Sequence, residues 1–163
     1  MEEIWELVDK DGRKNGIEIT RDKMNTIPEG SFHLGVEVWV RVEDRILITR
    51  RHPNKAFGLM YDVPGGGVLK GESLADGAIR ELYEEVGIVA SPDELVPLGE
   101  AVFNKCYAAS YLLVLTRLPT LRLQPCEVVG YKLLTDDEIT FMSGEITKDT
   151  YQRYLCYKDK IFL

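Results

Sequence analysis

An α+β fold with a mixed sheet is predicted by three features of this 163-residue sequence. Phe32 to Val42 alternates, with Val36, Val38, Val40 and Val42 on one side and Glu37, Trp39 and Arg41 on the other. That is the period of a strand with one buried face. A glycine-rich loop at Gly65-Gly66-Gly67 leads into a stretch where Leu74, Ala75, Ala78, Ile79, Leu82 and Val86 recur at helical spacing. Further strand-like runs follow, and then a second helical pattern.

Taken in order, Ile4 to Val8 and Ile17 to Thr20 are short strand-like runs separated by a turn-rich linker. They predict an N-terminal hairpin laid against the main body. Residues 21–31 read as a connector, because Pro28 and Gly30 halt regular structure. Glu43-Asp44-Arg45 makes a tight turn after the alternating strand, and Arg45 to Arg51 pairs back. Glu72 and Ser73 stand where the helix should start, and Gly87 where it should stop. Leu95 to Phe103 and Tyr107 to Leu118 read as long strands joined near Asn104-Lys105, and Val128 to Leu134 as another. Asp136 opens a short helix, and Thr147 to Ile161 carries Tyr151, Tyr154, Leu155 and Lys158 at helical spacing. With no repeat, low-complexity tract or linker, residues 1–163 are expected to form one domain, 1–31 being its hairpin and connector.

A net charge of −7 argues against binding a nucleic-acid polymer, whose affinity comes from basic surface. It leaves a small polyanion open, given metal ions and a few local cations. No apolar segment approaches membrane-spanning length, and Met1 to Leu7 lacks the basic-then-apolar pattern of a signal peptide. Cys106, Cys126 and Cys156 are odd in number, widely spaced and without a zinc-like pattern, so reduced thiols in a cytoplasmic protein are expected.

Glu81, Glu84 and Glu85 share an arc of about 100° on the predicted helix, narrow enough for one small object to touch all three. Like charges at this spacing repel, and Glu84 and Glu85 lie near the helix's negative end. A hard divalent cation with oxygen ligands would relieve both penalties. Taken alone, the cluster is equally a solvated acidic face.

Gly66, Glu72, Arg80, Glu81, Leu82, Glu84, Glu85, Gly87 and Ile88 fall at every defined position of the Nudix box, which here runs from 66 to 88. The sequence therefore resembles the Nudix hydrolases. The resemblance implies the Nudix α/β/α sandwich, extended by the N-terminal hairpin. It implies hydrolysis of a diphosphate linkage in a nucleoside diphosphate derivative or a related organic diphosphate. It also assigns Glu81, Glu84 and Glu85 as ligands of magnesium, or secondarily manganese, with the Gly66 carbonyl a further ligand. One of these glutamates would serve as base. Glu127 precedes the Val128 strand, where many Nudix proteins place another ligand or base; an exposed strand-end glutamate is its other reading. Arg80 is expected to buttress a box glutamate, and Glu72 to support it by capping or pairing with Arg80.

Arg50, Arg51 and Lys55 arrive just before the glycine loop and are candidate phosphate contacts, with plain surface solvation as the alternative. Phe57, Tyr61 and Tyr107 are candidates to stack a base or, equally, core residues. Outside the box, the resemblance is to Nudix proteins similar to isopentenyl-diphosphate isomerase. It rests on Trp5 to Asp9, Phe32-His33-Leu34, Ile48-Thr49-Arg50-Arg51 and Lys55. Isomerase chemistry needs a cysteine near the glycine loop, and Tyr61 to Gly67 holds none; His33 also lacks a histidine partner upstream or in that loop and is read as structural. A hydrolase is preferred, with an isomerase-like enzyme and a non-catalytic ligand-binding module as alternatives. In a homodimer, the N-terminal hairpin would cover the partner.

Overall fold

The computed structural model describes residues 2–163. In chain order the strands are β1 (Ile4–Val8), β2 (Lys14–Thr20), β3 (Phe32–Val42), β4 (Arg45–Arg51), β5 (Tyr61–Asp62), β6 (Gly65–Gly67), β7 (Val96–Phe103), β8 (Cys106–Leu115) and β9 (Val128–Leu134). The helices are α1 (Leu74–Val86), α2 (Asp136–Phe141) and α3 (Lys148–Ile161).

β3 is the strand on which the sheet is built. Along one edge it pairs in parallel with β8, from His33 opposite Cys106 to Val42 opposite Leu115. Its other edge is divided among three antiparallel partners. β1 pairs at Phe32–His33, β6 at Gly35–Glu37 and β4 at Val40–Val42. The glycine loop is thus a rung of the central sheet, held to fixed carbonyls and amides. β9 and β5 extend β4, β7 extends β8, and β2 forms the outer strand of the N-terminal hairpin.

Helix α1 packs on the valine face of β3. Ala78, Leu82 and Val86 are wholly buried against Val36, Val38, Val40, Val42 and Leu113. The opposite face is buried as well, which corrects the expectation of a strand with one buried side. There Trp39, Ile46 and Ile48 pack under Ile139 of α2 and Tyr154 and Ile161 of α3. Glu37 tolerates this face because its carboxylate accepts hydrogen bonds from Trp39 Nε1 (3.0 Å), Ser110 Oγ (2.6 Å) and Arg153 Nε (2.8 Å). The result is a helix–sheet–helix sandwich with a mixed sheet.

Two strand boundaries move by three residues from the sequence reading, and the connector gains a turn. β2 begins at Lys14, opposite Val8, because an edge ladder needs paired backbone and not apolar side chains. The connector contains a 3-10 turn at Arg21–Thr26. β8 stops at Leu115, because Val42 is the last residue of β3 and the ladder has no partner beyond it. Among the described residues no helix is long and apolar enough to cross a membrane.

Helix α1 is capped at both ends. Ser73 Oγ accepts from the Asp76 amide at 3.1 Å, and Gly87 takes a left-handed conformation (φ 76°) with its amide donating to the Tyr83 carbonyl. A Cβ at Gly87 would also lie 3.0 Å from the Arg122 Cβ. Gly87→Ala should therefore cost about 1–2 kcal/mol, lowering the melting temperature of a chain this size by roughly 2–8 °C. Thermal denaturation followed by circular dichroism checks this.

Candidate active site

The site forms where β6 turns into α1. Gly66 is fixed by its rung with Val36 and lies against the helix. A Cβ there would fall 2.5–2.6 Å from the Glu81 carboxylate, so any larger residue would have to push the end of that side chain aside. The N-terminal hairpin fastens the next stretch, through Lys70 N–H to Ile4 O (2.8 Å) and Gly71 N–H to Glu6 Oε2 (3.1 Å).

Arg80 gathers three of the acids. Its Nε and Nη2 donate to Glu72 at 2.6 and 3.0 Å, and Nη2 also donates to the Gly67 carbonyl at 2.8 Å. Nη1 donates to Glu81 at 2.9 Å and to Glu84 at 3.2 Å. Burial pulls the Glu72 carboxyl up, but the Arg80 hydrogen bonds and the Leu69 amide overcome it and hold the group below its usual value.

Glu85 turns the other way. It is buried beneath the loop, accepting from the Gly65 amide at 3.2 Å, with Lys55 Nζ 4.0 Å away. The same ammonium is ion-paired to Glu127. Glu127 reaches the cluster because residues 116–127 cross the end of α1: the Arg122 and Gln124 amides donate to the Val86 and Glu85 carbonyls at 2.9 and 3.0 Å. The His52 amide then donates to the Glu127 carbonyl. These contacts use helix-end acceptors that α1 cannot satisfy internally.

The remaining candidates divide. Arg51 donates from Nη1 to Asp62 Oδ2 (2.9 Å) and from Nε to the Ala56 carbonyl (2.8 Å), while Arg50 Nε donates to the Leu59 carbonyl (3.0 Å). Both arginines thus clamp the 52–60 loop, in which Phe57 and Leu59 are exposed and left-handed (φ 55° and 67°). Tyr61 is buried, its ring flanked by Arg50 and Lys132. Tyr107 donates to Glu100, and its ring abuts Gly12 of the N-terminal hairpin turn. His33 stacks on Trp5 at 4.4 Å between ring centroids, and burial holds its imidazole below the usual value. Sequence reasoning did not single out Asp62, which bonds Arg51. Its only sequence signal is a carboxylate immediately before the Val63-Pro64 approach to the loop.

Electrostatically the site is a store of desolvated carboxylates. Burial pushes Glu85 up to about 8, against the pull of Lys55 and with repulsion from Glu81. Burial also raises Glu81, opposed by Arg80 and assisted by Glu84 and Glu3. Among the described residues no three metal-ligating side chains stand together as they would around an ion. Arg80 draws Glu81 and Glu84 to one side while Lys55 draws Glu85 and Glu127 to the other. The donor set is nonetheless all oxygen and lies around one loop, a chemistry that fits a hard cation such as magnesium.

A carboxyl raised from 4.5 to about 8 binds its proton more tightly when folded than when unfolded. Its stabilising contribution is full below about pH 4.5 and is lost as pH rises towards 8. His33, lowered from 6.5, acts in the opposite sense and the raised Glu81 in the same sense, so the raw slope mixes several groups. The comparison with Glu85→Gln separates them. In chelator, the stability of this variant relative to wild type should climb between pH 5 and 8 by an amount on the order of a few kcal/mol. Denaturant titrations at stepped pH measure it.

Comparison with known proteins places a family domain over most of the chain. The NUDIX domain model matches residues 31–154, well over half of the chain. An uncharacterised Nudix hydrolase of Clostridium acetobutylicum is 34% identical over 104 residues, covering 60% of this chain and 48% of that protein. This chain therefore matches about half the length of that relative. A crystal structure of a Deinococcus radiodurans protein superposes with a TM-score of 0.73 at 25% identity, covering 95% of this chain and 99% of that one. A bifunctional NMN adenylyltransferase/ADP ribose pyrophosphatase from Francisella tularensis, complexed with AMP and a manganese ion, gives 0.68 at 22% identity, covering 80% of this chain and 42% of that one. With the family model spanning both the glycine loop and the acidic helix that build the site, this chain belongs to the NUDIX domain family.

Proposed function

We propose that this chain is a metal-dependent hydrolase of a diphosphate linkage, acting on a nucleoside diphosphate derivative or a related organic diphosphate. The observation that carries the reading is the desolvated Glu85 carboxylate beneath the glycine loop, on the same helix as Glu81 and Glu84 and sharing the Lys55 ammonium with Glu127. Glu81, Glu84, Glu85 and the Gly66 carbonyl would hold magnesium or manganese, with Glu127 a further ligand or base. The bound ion would neutralise the diphosphate and acidify a water molecule. Burial makes Glu85 hold its proton unusually tightly in the metal-free protein, so loading the ion would displace that proton. Lys55 and Arg51 orient phosphate oxygens, and Arg80 keeps the loop against the helix. Phe57, exposed at the lip of the clamped loop, is the aromatic best placed to meet a planar leaving group.

Isomerase chemistry of the isopentenyl-diphosphate kind is the weaker reading. Residues 61–67 carry no cysteine, and Cys106, packed against Gly35, has its thiol pushed up by burial to about 12. The Francisella likeness is one of fold, so ADP-ribose enters only as one member of a test panel.

Phosphate release should be measured on a panel of nucleotides and nucleotide sugars, ADP-ribose included, with magnesium. Wild type should turn over at least one member. On that substrate Glu84→Gln or Glu85→Gln should lower kcat by about a hundredfold or more, the scale of losing a group acting in the transition state. Their melting curves should stay cooperative. Undiminished turnover in either variant would remove the metal-hydrolase reading.

A further inference from the structure

We propose that Asp62 and Thr150 are positioning residues for Arg51, so that the C-terminal helix sets the aim of the phosphate grip. This rests on the reading of Arg51 as a diphosphate contact.

The start of α3 is docked along β5. Ile146 bridges Tyr61 in parallel, and the Thr147 amide donates to the Tyr61 carbonyl at 2.9 Å. That docking buries Thr150, 2% exposed, beneath Asp62, and its hydroxyl donates to Asp62 Oδ1. The Val63 amide donates to the same oxygen at 2.8 Å, which leaves Oδ2 turned to Arg51 Nη1 at 2.9 Å. Asp62 thus has two neutral donors on one oxygen and one cation on the other, an arrangement that fixes its plane. Behind Thr150 the chain of polar groups continues. Arg153 Nη2 approaches Thr150 Oγ1 at 3.4 Å, and Arg153 is paired with the buried Glu37 at 2.6 Å. Glu37 itself lies opposite Gly65, the rung that opens the glycine loop.

Buried charge is a poor way to gain stability, since apolar groups of similar size do as well or better. A chain of charged groups running from buried Glu37 through Arg153 and Thr150 to the half-buried Asp62 and Arg51 instead gives direction. Arg51 has Nε fixed by the Ala56 carbonyl and Nη1 fixed by Asp62, so its guanidinium plane is set before any ligand arrives. The remaining terminal nitrogen, Nη2, is the edge left for a phosphate oxygen. Lys55, four residues on in the same loop, sits between Glu127 and Glu85, so the segment that Arg51 clamps also carries the ammonium nearest the acids.

The test reads binding without turnover. α,β-Methylene-ADP, a non-hydrolysable diphosphate, is titrated with magnesium into wild type, Arg51→Ala, Asp62→Asn, Thr150→Val and Thr150→Ser, and Kd is measured by calorimetry. Thr150→Val and Asp62→Asn should each bind about five- to tenfold more weakly, the scale of one misdirected charge-assisted hydrogen bond. Thr150→Ser, which keeps the hydroxyl, should bind like wild type. Asp62→Asn combined with Arg51→Ala should bind no more weakly than Arg51→Ala alone, because Asp62 acts through Arg51. On a cleaved substrate, Asp62→Asn should raise KM and leave kcat nearly unchanged. Weak binding by Arg51→Ala with wild-type affinity in Asp62→Asn and Thr150→Val would overturn the positioning role and leave the phosphate grip standing. Wild-type affinity in Arg51→Ala, or no binding by wild type, would remove Arg51 as a diphosphate contact and the positioning proposal with it, while the hydrolase reading stands or falls on the Glu84 and Glu85 variants. Additive losses in the double variant would place the effect of Asp62 elsewhere and refute the proposal. If Thr150→Val fails to fold, the Asp62–Arg51 coupling decides alone.

Discussion

Loop, helix and acids meet at the guanidinium of Arg80. It bonds Glu72 at the mouth of the helix, Glu81 and Glu84 along it, and the Gly67 carbonyl of the loop. No lysine could do this, since a single ammonium lacks the forked planar donors that reach four acceptors in different directions. Burial works against the charged guanidinium, but Glu72 and Glu81 overcome it and raise its proton affinity above the usual value, so it remains a cation at any ordinary pH. The like-charge repulsion along α1 is thereby converted from a cost into the means of holding the loop. Without Arg80, Glu81 would face Glu84 and the desolvating loop with no counter-charge.

The loop can be held so closely because of how β3 spends its two edges. β8 takes the whole of one, so the other must be parcelled out among short partners. The middle parcel goes to the three glycines, fixing the loop's height and register with respect to α1 before any side chain is considered. The N-terminal hairpin takes the first parcel and, from there, reaches back to the residues just after the loop. Trp5 stacked on His33 anchors that hairpin against the sheet. The hairpin and the loop are therefore neighbours on one strand edge, and their contacts follow from that shared address.

What the sequence made legible follows from range. Contacts within a loop and its own helix have fixed spacing, so the acidic face, the apolar stripe of α1 and the caps at Ser73 and Gly87 could all be read off periodicity and residue type. The second buried face of β3 could not. Glu37 and Arg41 look like solvent-side residues until Arg153 and the end of α3, more than a hundred positions away, arrive to satisfy them. Asp62 was illegible for the same reason, since its partners Arg51 and Thr150 lie on separate segments. The approach of Glu127 depends on the irregular stretch 116–127, which carries no periodic signal and is held by backbone bonds to the end of α1 and by Leu118, Leu121 and Leu123 against the core. Propensity and pattern describe a residue's own element; they are silent about which distant polar group will make its burial tolerable.

Arg80 and Lys55 therefore differ in kind. Arg80 is tied by several donors to acids and a carbonyl that belong to the same loop–helix unit, so removing it would dismantle local structure. Lys55 stands on a separate loop and presents one flexible ammonium to Glu127 and Glu85, acids brought together from α1 and from the stretch before β9. Its charge compensates Glu85 only partly, because burial still leaves that carboxyl near 8. A compact ammonium on a four-carbon stem can be exchanged for another cation without disturbing the backbone around it, whereas a forked guanidinium bonded to the loop cannot. Permanent compensation thus sits where geometry must be kept, and replaceable compensation where charge must be able to change.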